Sequence, residues 1–307
     1  MDLRQLQFVV AVADEGGFRP AARLLRTAQP PLSTAVRQLE IELGTALFER
    51  STRGVVPTAA GRELVSRARR ILHEVSTARD DLRRGDHRRK PVIRVAVLAG
   101  DLAAGELTLP LIDALRGRFE GATVELHETT FVDQVDALRA GDVDLAFIRP
   151  PVTSSDLAIV PVVEEPRCLV VGHRHPLAEA EYLDASDVLE VPMLRLSAPD
   201  EWATMWQLDD MRGRPLVSES VGPVRTVSGA HLALTASNAG ITMTASTARC
   251  APSPVTRSIP VRGLSPSVFA LAYRRSDTRE LTRTAIDAVA AAAAENIELL
   301  PDGVVLV

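Results

Sequence analysis

From Ala59 to Gly85 nothing in the sequence breaks a helix, and Leu64, Ala68, Ile71, Val75, Ala78 and Leu82 recur along it at spacings of 4, 3, 4, 3 and 4. That is a heptad seam. Arg62, Arg67, Arg69, Arg70, Arg79 and Arg83 lie off the seam, and Thr58 supplies the N-cap. A helix this long needs something to cover its apolar stripe. A second copy of the helix in a coiled coil suits the period best; packing against the chain's own carboxy-terminal part, residues 92–307, is the alternative. The helix also divides the chain. Residues 1–58 precede it, residues 59–91 hold it and a hinge at Gly85-Asp86-His87-Arg88-Arg89-Lys90-Pro91, and residues 92–307 follow.

The segment before the helix reads as three short helices and a hairpin. Leu3, Leu6, Val9, Val10 and Ala13 form one amphipathic stripe, closed by Gly16-Gly17. A second helix runs from about Phe18 to Arg26, with Ala21, Ala22, Leu24 and Leu25 inward and Pro20 in its first turn. A third starts near Gln29, carries Pro30 and Pro31 in its first turn, and turns Leu32, Val36, Leu39 and Leu43 inward. The run Phe48 to Pro57 then reads as a β-wing. This winged helix-turn-helix pattern would offer the N-terminal end of the third helix to a DNA major groove. Its outward residues are Gln29, Ser33, Thr34, Arg37 and Gln38. Gln can bond adenine and Arg can bond guanine, while hydroxyls suit phosphate. The same residues also suit a plain solvated face.

Charge is distributed unevenly. Residues 1–90 carry 17 basic and 11 acidic side chains, a net of +6, whereas the remainder carries 18 and 29, a net of −11. A basic head on an acidic body fits a polyanion partner confined to one end, although a solvated basic linker would give the same asymmetry.

After Val92 the period changes. Strand-like runs at Val92–Val97, Thr123–Glu128 and Val143–Ile148 alternate with helical stretches at Leu107–Phe119 and Phe131–Ala140. A second set follows, with strands at Leu169–Val171, near Pro192-Met193-Leu194 and at Ile241–Thr244, and a helix near Val224–Ala236. Val268–Tyr273 and the Ala-rich helix Leu281–Ala294 would return to the first sheet. Alternation of this kind predicts parallel sheets with ligands at the carboxyl ends of strands. The expected arrangement is two α/β lobes, the first about 92–161 with 267–296 and the second about 162–266. Pocket residues are sought in the strand-to-helix turns: Gly100 and Asp101, Thr129 and Thr130, Arg149, Ser197, and Arg225 with Thr226. Each could equally be an ordinary cap. The tail around Pro301-Asp302-Gly303 reads as a hairpin that could extend a sheet edge.

In its head the chain resembles the LysR-type transcriptional regulators. The resemblance rests on Gly17-Phe18, Ala21-Ala22, Leu24, Ala28-Gln29-Pro30-Pro31-Leu32-Ser33, Leu39-Glu40, Leu43-Gly44, Leu47-Phe48-Glu49-Arg50, Arg53-Gly54 and Pro57-Thr58-Ala59-Ala60-Gly61 at fixed spacing. Pro20 and Thr34 depart from it. The resemblance implies that Gln29, Pro30, Ser33 and Arg37 lie at the major groove and that Arg50 and Arg53 reach the minor groove or phosphates. It implies a dimer made by the linker helix through Leu64, Ala68, Ile71, Val75 and Leu82. It also implies a periplasmic-binding-protein-like effector domain that holds a small molecule between its lobes. In similar proteins the first turn carries a hydroxyl that bonds an effector carboxylate; Gly100 and Asp101 stand there instead.

The expectation is a multi-domain chain: an all-α winged helix-turn-helix head, a long linker helix and a two-lobed α/β effector domain. Its partners would be double-stranded operator DNA, a small-molecule effector, further copies in a homodimer and a homotetramer, and RNA polymerase, with no membrane and no cofactor. No P-loop, dinucleotide-binding glycine pattern, nucleophile elbow or metal-spaced His/Cys cluster is visible, so an enzyme is not expected. The amino terminus lacks the basic and apolar segments of a signal peptide, which argues against a solute-binding protein and for a cytoplasmic, nucleoid-associated regulator of bacterial type. Cys168 and Cys250 are expected as small buried apolar residues, not as a redox pair.

Overall fold

A computed structural model of the chain describes residues 1–51, 54–83, 92–99, 102–119 and 122–307. The chain folds as two units, Met1–Arg89 with Arg139–Asp142, and Lys90–Leu138 with Val143–Val307. Among the described residues no helix is long and apolar enough to cross a membrane.

In the first unit α1 (Leu3–Glu15) opens with a capping box between Asp2 and Gln5 and stops at Gly16 in the left-handed region. Then come α2 (Phe18–Leu24) and α3 (Gln29–Leu43), a hairpin of β1 (Phe48–Ser51) and β2 (Gly54–Pro57), and α4 (Ala59–Arg83). The core joins Phe8, Val9 and Val12 to Ala21, Ala22, Leu32, Val36, Leu39, Leu47 and Val65. Leu24 and Leu43, both expected inward, are exposed. Each is the last residue of its helix. Thr58 caps α4 by accepting from the Gly61 amide (3.0 Å), and its hydroxyl donates to the Ala46 carbonyl (2.7 Å). A Cβ at Gly61 would fall 1.9 Å from the Leu47 carbonyl oxygen, so only glycine fits where the helix joins the wing.

The second unit begins with β3 (Val92–Leu98), α5 (Thr108–Arg118), β4 (Thr123–Thr129), α6 (Asp136–Ala140), β5 (Leu145–Ile148) and β6 (Leu157–Glu165). The chain crosses to a second lobe at Pro166 and forms β7 (Arg167–Gly172), β8 (Leu183–Asp184), α7 (Ala185–Val188), α8 (Asp200–Trp206), α9 (Asp209–Arg212), α10 (Val227–Thr235), β9 (Gly240–Thr244), α11 (Ala245–Cys250) and β10 (Thr256–Arg262). It returns through β11 (Ser267–Arg274), α12 (Glu280–Glu295) and β12 (Val304–Val305).

The first lobe is a six-stranded sheet in the order β12-β6-β11-β5-β3-β4, and the second a four-stranded sheet in the order β8-β10-β7-β9. Strand β3 is buried on both faces: Ile93, Val95 and Val97 pack towards α5 and α12, Ala96 towards Leu138 and Ala146.

Both sheets are mixed, not parallel as expected. β3 runs parallel to β4 and β5, but the returning β11 opposes β5 and β6, and β7 opposes β9 and β10. Strand β6 stays in the first sheet to Glu165, four residues past the expected boundary at 161. The helix expected over Phe131–Ala140 shortens to α6, because the Asp133 carboxylate accepts from both the amide (2.7 Å) and the hydroxyl (2.6 Å) of Thr130 and holds a turn there. The tail is not a hairpin. Ile297–Leu299 make a 3-10 turn, Leu300 is buried, and β12 adds antiparallel to the free edge of β6.

Candidate DNA-reading surface and inter-lobe cavity

In the head, the buried stripe of α3 orients the rest of the helix. Leu32, Val36 and Leu39 face the core, leaving Gln29, Pro30, Thr34, Arg37 and Gln38 exposed and Ser33 half-buried on the other side. Pro30 and Pro31 begin the helix without cost, since first-turn N–H groups have no intrahelical acceptor. Arg50 sits in β1 opposite Val55. Arg53, like the hinge at 85–91, lies outside the described residues. Along α4, Val65 and Ala68 are buried and Leu64 packs beside the head core, so the amino-terminal part of the heptad seam is covered by the chain's own α1. Arg69 pairs with Asp14 there. Ile71 is 38% exposed and Val75 half-buried. Leu82 lies in α4, with its side chain outside the description.

Between the two lobes of the second unit is a cavity of about 50 Å³. Its floor on the first-lobe side comes from the end of β3 and the turn after it, Leu98, Ala99, Leu102 and Ala103, together with Phe131 and Arg149. Its second-lobe wall is Leu196, Trp202, Trp206, Val227 and the strand Ile241–Thr244. Of the residues singled out in the five turns, Arg149 lines the cavity; Ala99, Leu102, Phe131, Leu196 and Val227, their apolar neighbours, line it too, whereas Thr129, Thr130, Ser197, Arg225 and Thr226 do not.

Arg149 is the exception. Its side chain is 4% exposed and its Nη2 donates to Glu165 at 2.5 Å, while Nε and Nη1 donate to the Ala103 carbonyl (3.0 Å) and the Ser267 hydroxyl (3.3 Å). Glu165 also accepts from the amide and hydroxyl of Ser246 at the start of α11. With an acceptor on each guanidinium nitrogen the buried pair offsets much of its desolvation; with either partner removed, about 3–5 kcal/mol is lost.

Thr129 is buried, does not line the cavity, and its hydroxyl has no partner among the described residues. Thr130 is committed to Asp133. Thr226 caps α10 through the Gly229 amide (3.1 Å). Arg225 is exposed and contributes its carbonyl, which accepts from Phe131 (3.2 Å). Ser197 is half-buried and bonds Val224 through its amide. Gly100 and Asp101 lie outside the described residues.

The tryptophans were missed by the sequence reading. Phe131, Trp202 and Trp206 stack in series, with ring centroids 5.0 Å and 5.3 Å apart. The signal was present: the chain has 2 tryptophans, and they stand four apart, on one face of α8. The Trp202 indole donates to the Arg149 carbonyl (2.8 Å), which ties the lobes together. The Trp206 indole has no acceptor among the described residues.

The lobes are pinned elsewhere too. Arg249 on α11 makes a two-pronged bond to Glu106, at 2.6 and 3.2 Å, which raises its guanidinium pKa. Gly105 meets Ser246 so closely that a Cβ would lie 2.2 Å from the serine Cβ. Arg167 clasps both crossovers, donating to Ser265 and to the Met205 carbonyl; burial lowers its pKa, with Asp210 opposing.

The family model for "Bacterial regulatory helix-turn-helix protein, lysR family" matches residues 3–62, and that for the "LysR substrate binding domain" matches residues 88–294. The HTH-type transcriptional regulator AlsR of Bacillus subtilis (strain 168) is 30% identical over 206 residues, covering 67% of this chain and 67% of its own. The crystal structure of CbnR, a LysR family transcriptional regulator, is 25% identical with a TM-score of 0.67, covering 95% of this chain and 99% of that one. Full-length CbnR complexed with its target DNA is 26% identical with a TM-score of 0.53, covering 95% of this chain and 100% of that one. With both family models in sequence order and the relatives regulators and not enzymes, the chain belongs to the LysR family of DNA-binding transcriptional regulators, a helix-turn-helix head followed by an effector-binding domain.

Proposed function

We propose that the chain reads an operator sequence through α3 and that a small molecule held between the two lobes modulates its activity. The observation that carries the first half is the exposed polar face at the amino-terminal end of α3, Gln29, Thr34, Arg37 and Gln38, on the basic part of the chain. Pro30 and Ser33 complete that face, and Arg50 and Arg53 on the wing supply phosphate or minor-groove contacts. The relative CbnR has been solved on its target DNA, which supports the same mode here. Of the seam residues Leu64, Ala68, Ile71, Val75 and Leu82, the first two are covered within the chain itself, and Ile71, Val75 and Leu82 of α4 pair two copies into a homodimer, with dimers pairing into a homotetramer. Of the candidate effector residues Gly100, Asp101, Thr129, Thr130, Arg149, Ser197, Arg225 and Thr226, the reading favours Arg149, which lines the cavity. It places the protein in the bacterial cytoplasm, at the nucleoid and in contact with RNA polymerase.

The test is a gel shift on the intergenic DNA upstream of the protein's own gene. Arg37→Ala should weaken specific binding by about 1–3 kcal/mol and relax specificity. Arg53→Ala should weaken binding to all sequences alike and lower the salt slope by about one. Unchanged operator affinity in both variants would overturn the assignment.

A further inference from the structure

We propose that the inter-lobe cavity takes an uncharged, largely apolar molecule of about one aromatic ring that carries a hydrogen-bond acceptor, and that the Trp206 indole N–H is the group that recognises this acceptor. The inference rests on the reading of this cavity as the effector site and names the chemistry of its ligand.

Most of the wall's polar groups are already committed to protein partners. The hydroxyl of Thr242 donates to the Trp206 carbonyl (2.6 Å). That of Thr244 is engaged with Ser246 (3.0 Å) and Thr247 (2.7 Å) and accepts from the Thr247 amide. The Trp202 indole is spent on the Arg149 carbonyl. Trp206 is 4% exposed and lines the cavity, and its indole nitrogen is, among the described lining residues, the buried side-chain polar atom with no hydrogen-bond partner. A buried N–H left unpaired is rare and costly, and an incoming acceptor relieves that cost.

Charge is excluded by the same wall. Arg149 is the cation among the described lining residues; each of its three nitrogens has a protein acceptor, in Ala103, Ser267 and Glu165, and the Glu165 carboxylate matches its charge. A carboxylate entering here would be desolvated with no unpaired cation among the described lining residues to receive it. Arg167 lies 5.9 Å from the centre of the Trp206 ring, but its donors go to Ser265 and Met205 and it does not line the cavity. The remaining wall is apolar and aromatic, suited to a flat ring stacked on Trp202 and Phe131. At about 50 Å³ the closed cavity is smaller than the ~150 Å³ that holds benzene elsewhere, so a ring-sized guest must part the lobes. The contacts that would give are the Trp202–Arg149 bond and the Arg249–Glu106 pair. Entry of the guest is thereby coupled to the inter-lobe angle.

The chain's 2 tryptophans make the test direct. Full-length protein carrying ¹⁵N-tryptophan gives two indole N–H signals, both from the cavity wall, and Trp206→Phe assigns them. Three probes of similar shape are titrated: acetophenone (neutral, with an acceptor), ethylbenzene (neutral, without one) and benzoate (anionic). Acetophenone should move the Trp206 signal downfield and bind about three- to tenfold tighter than ethylbenzene, the range expected for one hydrogen bond. Benzoate should bind more weakly than either. In Trp206→Phe the advantage of acetophenone over ethylbenzene should vanish while ethylbenzene still binds, which shows that the cavity remains folded. Benzoate binding as tightly as acetophenone overturns the ligand class but leaves the cavity as an effector site. If no probe shifts either indole signal, the cavity is not a ligand site and the underlying reading falls with it.

Discussion

Cys168 and Cys250 show how far residue chemistry depends on place. Cys168 is buried in β7 against the Thr244 carbonyl, and burial first, then the nearby Glu165 charge, push its thiol pKa up to about 12. Cys250, at the end of α11, is exposed, contrary to the expectation that both are buried. The thiolate is the reactive form, so Cys168 stays protonated and inert at neutral pH. Iodoacetamide at pH 8 should therefore label one cysteine per native chain, Cys250, and both in denaturant, as read by intact mass. Rapid native labelling of Cys168 would show that its environment is not the apolar one described. Residue identity alone could not have separated the two, because burial is fixed by strands far apart in sequence. The same holds for Arg149. The sequence marks it as a turn residue with a charge to offer, but Glu165 and Ser267 consume that charge from 16 and 118 residues away.

Element boundaries were legible wherever local chemistry decides them and not where partners do. Gly16 ends a helix in the left-handed region, Pro30 lies in the first turn of another, and the strand-like runs Val92–Val97 and Thr123–Glu128 fall within β3 and β4. What the sequence did not carry was the direction of β11 and the fate of the tail, which depend on which sheet edge is free when the chain returns. Two glycines give opposite predictions at this scale. Gly61→Ala gains up to about 1 kcal/mol of helix propensity but forces a Cβ to 1.9 Å from the Leu47 carbonyl oxygen. Overpacking against backbone costs about 1–3 kcal/mol, so the clash wins and the variant should lower the unfolding midpoint of the head. Gly117→Ala, on α5, meets nothing within 4 Å and should raise stability by up to about 1 kcal/mol. Thermal melts of both variants against wild type check the signs. A Gly61→Ala protein as stable as its parent would refute the tight joint between α4 and the wing.

At the scale of the whole molecule, the division of labour was the most legible property. The net +6 of residues 1–90 and the net −11 of the remainder separate a polyanion-facing part from an acidic one. The apolar stripe of α4 is divided: Leu64 and Val65 pack with the head core and Ala68 is buried, which leaves Ile71 and Val75 as the part that the proposed pairing with a second copy would cover. Ile71→Asp with Val75→Asp therefore strikes the proposed pairing surface while leaving the head core intact. The paired helices would have to bury four carboxylates face to face, and the oligomer should dissociate. The head should melt as in the parent, since none of its buried residues changes. Each reading head would then bind alone, and operator affinity should fall about 10²- to 10⁴-fold through lost effective concentration, with no DNA-contacting residue altered. Sedimentation velocity reads the first effect and a gel shift the second. An unchanged sedimentation coefficient would mean that α4 beyond Ala68 packs elsewhere. Dissociation with operator affinity retained would mean that a single head suffices for recognition.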